Sequence, residues 1–452
     1  MPQQKIDFGS SALIPAYFRL ALPVVMSSIV TIAYNLADTY FIAGTQNSLL
    51  IAGVSVCAPV FMILMAFGNV FGQGGSSLLS RLLGQRRMDD AGRVSAFCFW
   101  IALVTGAVIG ACLLAVRDPF LVLLGASPDT LPYAREYGTV LLAGAPLIVI
   151  SFIHMNLLRC EGMAAISMAG TALGAVINVI LDPILIPGMG AAGAAIASVT
   201  GFVCSDLFLL VIALKKSTVL SVRPLLILES SFIRSILAIG VTAAITNIAS
   251  SVCTILVNQQ LLVYGDDRIA AMGIVLKVTM IVQMVLVGFS FGGIPLFGYL
   301  TGAGEYKKIR KLLRFCMLFL ILLALVMTLF ACLEAGPLLH MITPDRTLVG
   351  EGIPMLRWQT AGSAFAGMVM LMTCLCQAMG KALPALILSL SRQGLLFAAV
   401  LLIMSHVLGY QGILSAQFAA DLLSALLTIP ILHSVMRSVP PPDGSRPDPA
   451  EG

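Results

Sequence analysis

The chain has 452 residues, of which 59% are hydrophobic and only 10% charged, with a formal net charge of +5. Soluble domains carry roughly a quarter charged residues, so this composition excludes an ordinary soluble enzyme or binding module. Apolar runs of about 20 residues, the length of helix that crosses a ~30 Å hydrocarbon core, recur from end to end. The runs are continuous and too long for the alternating strands of a membrane β-barrel, so the expectation is an all-α, multi-pass integral membrane protein.

In chain order, "MPQQKIDFGSS" is polar and lacks the charged start, short apolar core and small-residue cleavage site of a signal peptide. Twelve apolar segments follow, near 15–43, 50–79, 94–116, 132–155, 164–186, 190–214, 231–262, 269–300, 312–332, 352–376, 384–406 and 412–436. Several exceed the minimum span, which implies tilt or protruding ends. The Pro-rich end "SVPPPDGSRPDPAEG" reads as a disordered tail. The organisation expected is a cytoplasmic N-terminal segment (1–14), a six-helix bundle (15–214), a cytoplasmic linker (215–230), a second six-helix bundle (231–436) and the tail (437–452).

Basic residues set the orientation. Arg81, Arg86, Arg87 and Arg93 follow segment two, Lys215, Lys216, Arg223 and Arg234 surround the linker, and Lys307, Lys308, Arg310, Lys311 and Arg314 follow segment eight. Counting span ends and tails, 19 of the 26 Lys and Arg fall on that side and five on the other, with Lys277 and Arg392 inside segments. The positive-inside rule places both termini in the cytoplasm of a plasma (inner) membrane protein. This asymmetry accounts for the net charge without a nucleic-acid partner.

The two halves echo each other. "FGQGGSSLLSRLLGQRRMDDAGR" (71–93) lines up with "SFGGIPLFGYLTGAGEYKKIRK" (290–311), "RCEGMAA" (159–165) with "LCQAMGKA" (375–382), and "GAAGAAIASVTGF" (190–202) with "GYQGILSAQFAAD" (409–421). Six segments per copy give both copies the same orientation. Paired repeats of this kind point to a transporter. The alternatives read poorly. The ten cysteines lie mostly in apolar runs as buried thiols, the four histidines have no metal-ligand spacing, and "FGQGGSS" has neither the strand nor the Lys of a phosphate loop. No reactive cluster near a surface suggests an enzyme, and no cofactor is expected.

Charges inside the segments are the candidate functional residues, because an acid at mid-helix costs about 2.5–3.5 kcal/mol to insert. The first half holds Asp38, Asp182 and Asp206; the second holds Lys277, Arg392 and Asp421. Segments one and five both run outward, so Asp38 and Asp182 share a depth near the outer face. Tyr34 lies one turn from Asp38 and Asn178 one turn from Asp182. Pro183 also frees the carbonyl of Val179. Two acids, an amide oxygen and a free carbonyl suit a hard cation such as Na⁺. The same acids suit H⁺ if burial favours the protonated pair. Asp421 is expected to neutralise Arg392 or Lys277, and His154 to be structural.

Together "YNLADTYFI", "GQGGSSLLSRLLGQ", "RCEG", "NVILDPILI" before "GAAGAAIAS", and "LSRQG" resemble the multidrug and toxic compound extrusion (MATE) family, nearest its DinF/MepA-like prokaryotic branch, over about residues 10–436. The resemblance implies two pseudo-symmetric six-helix bundles in a V around a central cavity that opens alternately to each side. It also implies export of small cationic amphiphilic compounds in exchange for H⁺ or Na⁺ by a protein acting as a monomer. Carried over by motif, Asp38, Asn178 and Asp182 form the N-half cation site, with Tyr34, Tyr137, Asn156 and Thr200 as neighbours, and Pro23 falls where the family places a first-helix proline. Some members carry a cation-binding acid in segment seven or eight; this chain has Lys277 there instead. A lipid-linked oligosaccharide flippase of the same superfamily is the alternative, since it would want a more basic cavity.

Overall fold

The structure is a computed structural model that describes residues 13–224 and 228–437. All but the first residue of the expected tail, most of the expected N-terminal segment and residues 225–227 of the expected linker lie outside the described residues. Eighteen helices carry all the described regular structure. The first half comprises α1 (Leu13–Ala43), α2 (Ser48–Val56), α3 (Ala58–Gly84), α4 (Met88–Ala115), α5 (Arg117–Leu123), α6 (Leu131–Ala143), α7 (Ala145–Cys160) and α8 (Ala164–Lys216). The second comprises α9 (Ser230–Leu262), α10 (Asp266–Phe291), α11 (Ile294–Gly302), α12 (Tyr306–Leu333), α13 (Ala335–His340), α14 (Arg346–Ala361), α15 (Ser363–Ala378), α16 (Ala382–Gln393), α17 (Leu395–Leu408) and α18 (Tyr410–Arg437).

Nine helical stretches among the described residues are long and apolar enough to span a membrane, and the bent pairs α6/α7 (53°) and α14/α15 (42°) bring the number to eleven. The twelfth is hidden in α8. Straight, its 53 residues would reach about 80 Å, far beyond a bilayer core. Gly190, at φ 55° and ψ −129°, breaks it, and it folds back on itself: Gly193 faces the Leu185 carbonyl and Gly174 the Gly201 carbonyl. Twelve crossings result, in agreement with the sequence pattern. The interruptions within spans were not anticipated. Three of them place a proline in the first turn of the following helix (Pro59, Pro146, Pro295). There the missing N–H costs nothing and the chain can turn.

Backbone specials recur in matching places: positive φ occurs at Gln46 and Gly265, Arg86 and Gly304, Gly162 and Gly380, and Gly190 and Gly409. The last pair adopt nearly the same conformation, Gly409 lying at φ 57° and ψ −131°. Gly412 then faces the Met404 carbonyl as Gly193 faces that of Leu185. Repetition of a conformation that disfavours any side chain fixes the register between the halves.

The halves meet along one seam. The Tyr17 hydroxyl donates to the Phe289 carbonyl (2.7 Å), Ser77 donates to the Gln377 carbonyl, and Gly74, Gly84, Gly240 and Gly302 face the backbones of Ile236, Tyr299, Val70 and Arg81. Glycine is required here because no Cβ fits between backbones so close. All these contacts lie toward the face with the basic connections. Beyond them a cavity of about 380 Å³ lies between the halves, reached by residues of α1, α3 and α7 from one and of α9, α15 and α16 from the other.

Candidate functional site

Asp38 and Tyr34 sit near the end of α1 remote from the basic connections. This helix packs along α8, whose first arm carries Asn178 and Asp182 and whose second carries Ser198. Asp182 is fully buried and neither carboxylate oxygen has a partner; Oδ1 of Asp38 and Oδ1 of Asn178 are likewise buried and unpartnered. The Asn178 amide donates to Ser198 Oγ (3.3 Å), which orients its oxygen away from that hydroxyl. The Tyr137 hydroxyl also reaches Ser198. Tyr34 lies within electrostatic range of both carboxylates, and they of one another.

The arrangement therefore gathers buried acceptor oxygens that no donor of the described residues reaches. An unsatisfied buried polar atom costs roughly 1–3 kcal/mol, and here four oxygens on two helices share that condition. A bound proton or a hard cation relieves it, because each supplies positive charge that carboxylate and amide oxygens accept. Among the described residues no group of three or more His, Cys, Asp or Glu side chains is arranged to hold a metal ion; the ligand oxygens gathered here are carboxylate, amide and hydroxyl, chemistry that fits Na⁺ or H⁺.

The other anticipated residues divide between two places. Asn156 is not brought to this cluster: its amide donates to the Phe152 carbonyl (2.7 Å) and its side chain lines the central cavity. Thr200 is half-buried two residues beyond Ser198, and its side chain makes no hydrogen bond among the described residues. Asp206 pairs with His154 (2.6 Å to Nδ1), whose ring rests on Phe99, and both side chains are buried. In the second half Asp421 accepts from Arg392 Nε (3.1 Å) and Gln417 (3.0 Å), while Arg392 Nη2 donates to Gln283 (2.8 Å). Lys277 stands exposed outside this network. Of the two partners considered for Asp421, the structure selects Arg392. Ser198, Gln283 and Gln417 escaped the sequence reading because an uncharged polar side chain in an apolar helix carries only a weak insertion signal.

The central cavity is lined by amides and hydroxyls, among them Asn69, Gln73, Asn247 and Thr246, together with Arg159 and Arg392, and by no carboxylate among the described residues. Arg159 donates to Ser167 Oγ (3.2 Å) and forms no ion pair among the described residues.

Among known proteins, two "Multidrug export protein MepA" sequences, from Staphylococcus haemolyticus and Staphylococcus aureus, are each 28% identical to the chain. The first covers 96% of both chains, the second 95% of this one and 96% of its own. Solved structures share the fold. An outward-facing multidrug resistance MATE family transporter of the MOP superfamily superposes with a TM-score of 0.88 at 24% identity, covering 94% of this chain and 96% of its own. A Pyrococcus furiosus MOP superfamily transporter described as having a reversed-polarity binding pocket superposes at 0.87, also with 24% identity and the same coverage. The MatE family profile matches twice, at residues 23–184 and 242–404, once in each half. The chain belongs to the MatE family of multi-pass membrane transporters.

Proposed function

We propose that the protein is a secondary antiporter that exports small amphiphilic compounds, cationic ones included, in exchange for H⁺ or Na⁺ bound at Asp38, Asn178 and Asp182. The four unpartnered acceptor oxygens of that cluster carry the reading. The basic connections lie in the cytoplasm with both termini, so the seam closes the cytoplasmic side and the cavity faces outward. In this state the carboxylates meet the side rich in H⁺ or Na⁺. Ion binding neutralises them and weakens their hold on a cationic substrate, which leaves; the neutral cluster is then cheaper to enclose when the halves rock over. Coupling requires only that ion and substrate bias the same two-state element in opposite directions. The multidrug export named for the staphylococcal relatives supports the substrate class. A single chain builds both cavity and ion site, in keeping with a monomer of two bundles, 15–214 and 231–436, joined by the linker 215–230.

The test is ethidium efflux from vesicles under an imposed pH gradient and then a Na⁺ gradient, with Asp38→Asn alongside. Efflux driven by one gradient and lost in the variant supports the antiporter and names its ion. Well-expressed protein that moves no dye under either gradient overturns it.

One observation favours a second reading. A cavity with two arginines and no carboxylate among its described lining suits an anionic headgroup, as a lipid-linked oligosaccharide flippase would require. Photocrosslinking to a lipid-linked pyrophosphate precursor, competed by ethidium or not, separates the two.

A further inference from the structure

Arg357 and Trp358 stand on α14 ahead of the Gly362 break, as Thr139 and Val140 stand on α6 ahead of the Gly144 break. Around Thr139 the arginines of the first half are satisfied. Arg117 donates to Thr139 Oγ1 (3.2 Å), and Arg135 forms a two-pronged pair with Asp118 (2.9 and 2.7 Å). The second half keeps the position without the partners. The exposed Arg357 guanidinium makes no hydrogen bond or ion pair among the described residues. Of the acids near it in sequence, Glu351 is committed to Arg268 and Tyr410 (3.2 Å each).

The depth of Arg357 is fixed by α12. Thr328 donates to the Thr360 carbonyl (2.9 Å), and Cys332 Sγ lies 3.9 Å from Thr360 Oγ1. Arg357, one turn back along α14, is therefore level with the end of α12 at Leu333. The apolar stretch of α12 after Arg314 rises about 28 Å, the thickness of a hydrocarbon core. Arg357 thus stands at the membrane–water boundary remote from the basic connections. Ile353, Pro354, Arg357, Trp358 and Ala361 share one face of α14 and, with Cys332, line an open groove of about 410 Å³. Phe418 braces the Trp358 indole edge-on (5.9 Å between ring centres), and exposed Leu329 and Leu333 extend the apolar surface along α12. An indole is at home at this boundary, and a planar guanidinium matches the oxygens of a phosphate.

We propose that this groove seats one phospholipid of the leaflet remote from the basic connections. Its phosphate rests on Arg357, its glycerol region beside Trp358, and an acyl chain runs along Cys332 and Leu329. An anionic headgroup is preferred, because the charge of Arg357 has no counter-ion among the described residues. Such a lipid sits outside the two halves, so its binding does not depend on what the central cavity carries.

The chain has two tryptophans, and the other, Trp100, lies toward the basic face, donating to the Val222 carbonyl of the linker (2.9 Å). Trp100→Phe therefore leaves Trp358 as the reporter of its own groove. Its fluorescence quenching by dibrominated phosphatidylglycerol and by dibrominated phosphatidylcholine is compared in phosphatidylcholine vesicles holding the purified full chain. Phosphatidylglycerol should bind there about three to five times more strongly, the scale of one basic residue at an anionic surface. Arg357→Gln should bring the ratio to one, Arg357→Lys should retain most of it, and Arg135→Gln in the other half should leave it unchanged. Equal quenching by both lipids with Arg357 in place, or a ratio that Arg357→Gln does not move, overturns the site. Quenching by neither lipid also overturns it, and would mean that a second copy of the chain covers the groove. Should Trp100→Phe fold poorly, native mass spectrometry of wild type and Arg357→Gln makes the same comparison. A phosphatidylglycerol retained by the first and lost from the second supports the site; equal retention overturns it.

Discussion

Position by position, the two halves of the molecule place opposite chemistry on one scaffold. Where the first half has Asp38, Asn178 and Asp182, the second has Val257, Phe397 and Leu401; where the first has Tyr34 and Tyr137, the second has Cys253 and Met355. The second-half residues all belong to or pack on one apolar cluster. The first-half set is the one that leaves buried oxygens unpartnered. The second half does contain charge, but Arg392 and Asp421 bond to each other and to glutamines. Duplication kept the helix breaks and the seam, which packing geometry demands, and released the side chains in the hollows. One hollow holds an unsatisfied site that an ion can complete; the other is self-neutralised.

The sharpest way to break this comparison is to treat matching positions alike. Asp38→Asn or Asp182→Asn should lower gradient-driven efflux roughly tenfold or more, the scale of a lost coupling free energy, with little change in yield or thermal stability. Leu401→Asn, at the position matching Asp182, should leave efflux coupled to the gradient but cost about 1–3 kcal/mol, because it buries an amide in a fully apolar setting. Efflux from reconstituted vesicles and thermal unfolding in detergent check both.

The self-neutralised network invites the next test. Asp421→Leu or Arg392→Met alone should destabilise the protein by about 3–5 kcal/mol, since each strands a buried charge, and the double change should recover most of that loss. Additive losses would mean the pair is not the unit described. Smaller effects are expected at the turns. Gly190→Ala and Gly409→Ala should each cost about 1–3 kcal/mol, and by similar amounts if the repeat is symmetrical at the backbone. The smallest concerns the seam: Tyr17→Phe removes one buried hydrogen bond worth about 1 kcal/mol and should shift the population toward separation of the halves at the basic face, read from distances between spin labels on that face.

Much of the fold was legible because a bilayer is a demanding solvent: spans must be long and apolar, and their connections show the basic asymmetry. Asp38, Asp182, Asp206, Arg392 and Asp421 were legible for the same reason, each being a charge in a hydrocarbon run. The breaks at Cys57, Gly144 and Gly292 were not, since glycine and proline are ordinary in membrane helices and only packing decides where the chain bends. Nor was the separation of Asn156 from Tyr137, because α7 bends 53° away from α6 and two residues of one expected span then open on different spaces. Ser198 entered the site through the fold-back of α8, a proximity that only the Gly190 turn creates.

The account stands on the claim that the driving ion binds in the first half and nowhere else. Its most direct test is equilibrium binding of ²²Na⁺, or proton uptake in weakly buffered solution, by the purified full chain and by Asp38→Asn and Asp182→Asn. The prediction is saturable binding of one of these ions that disappears in both variants while the proteins remain folded. Binding that persists in both would place the ion elsewhere and contradict the account.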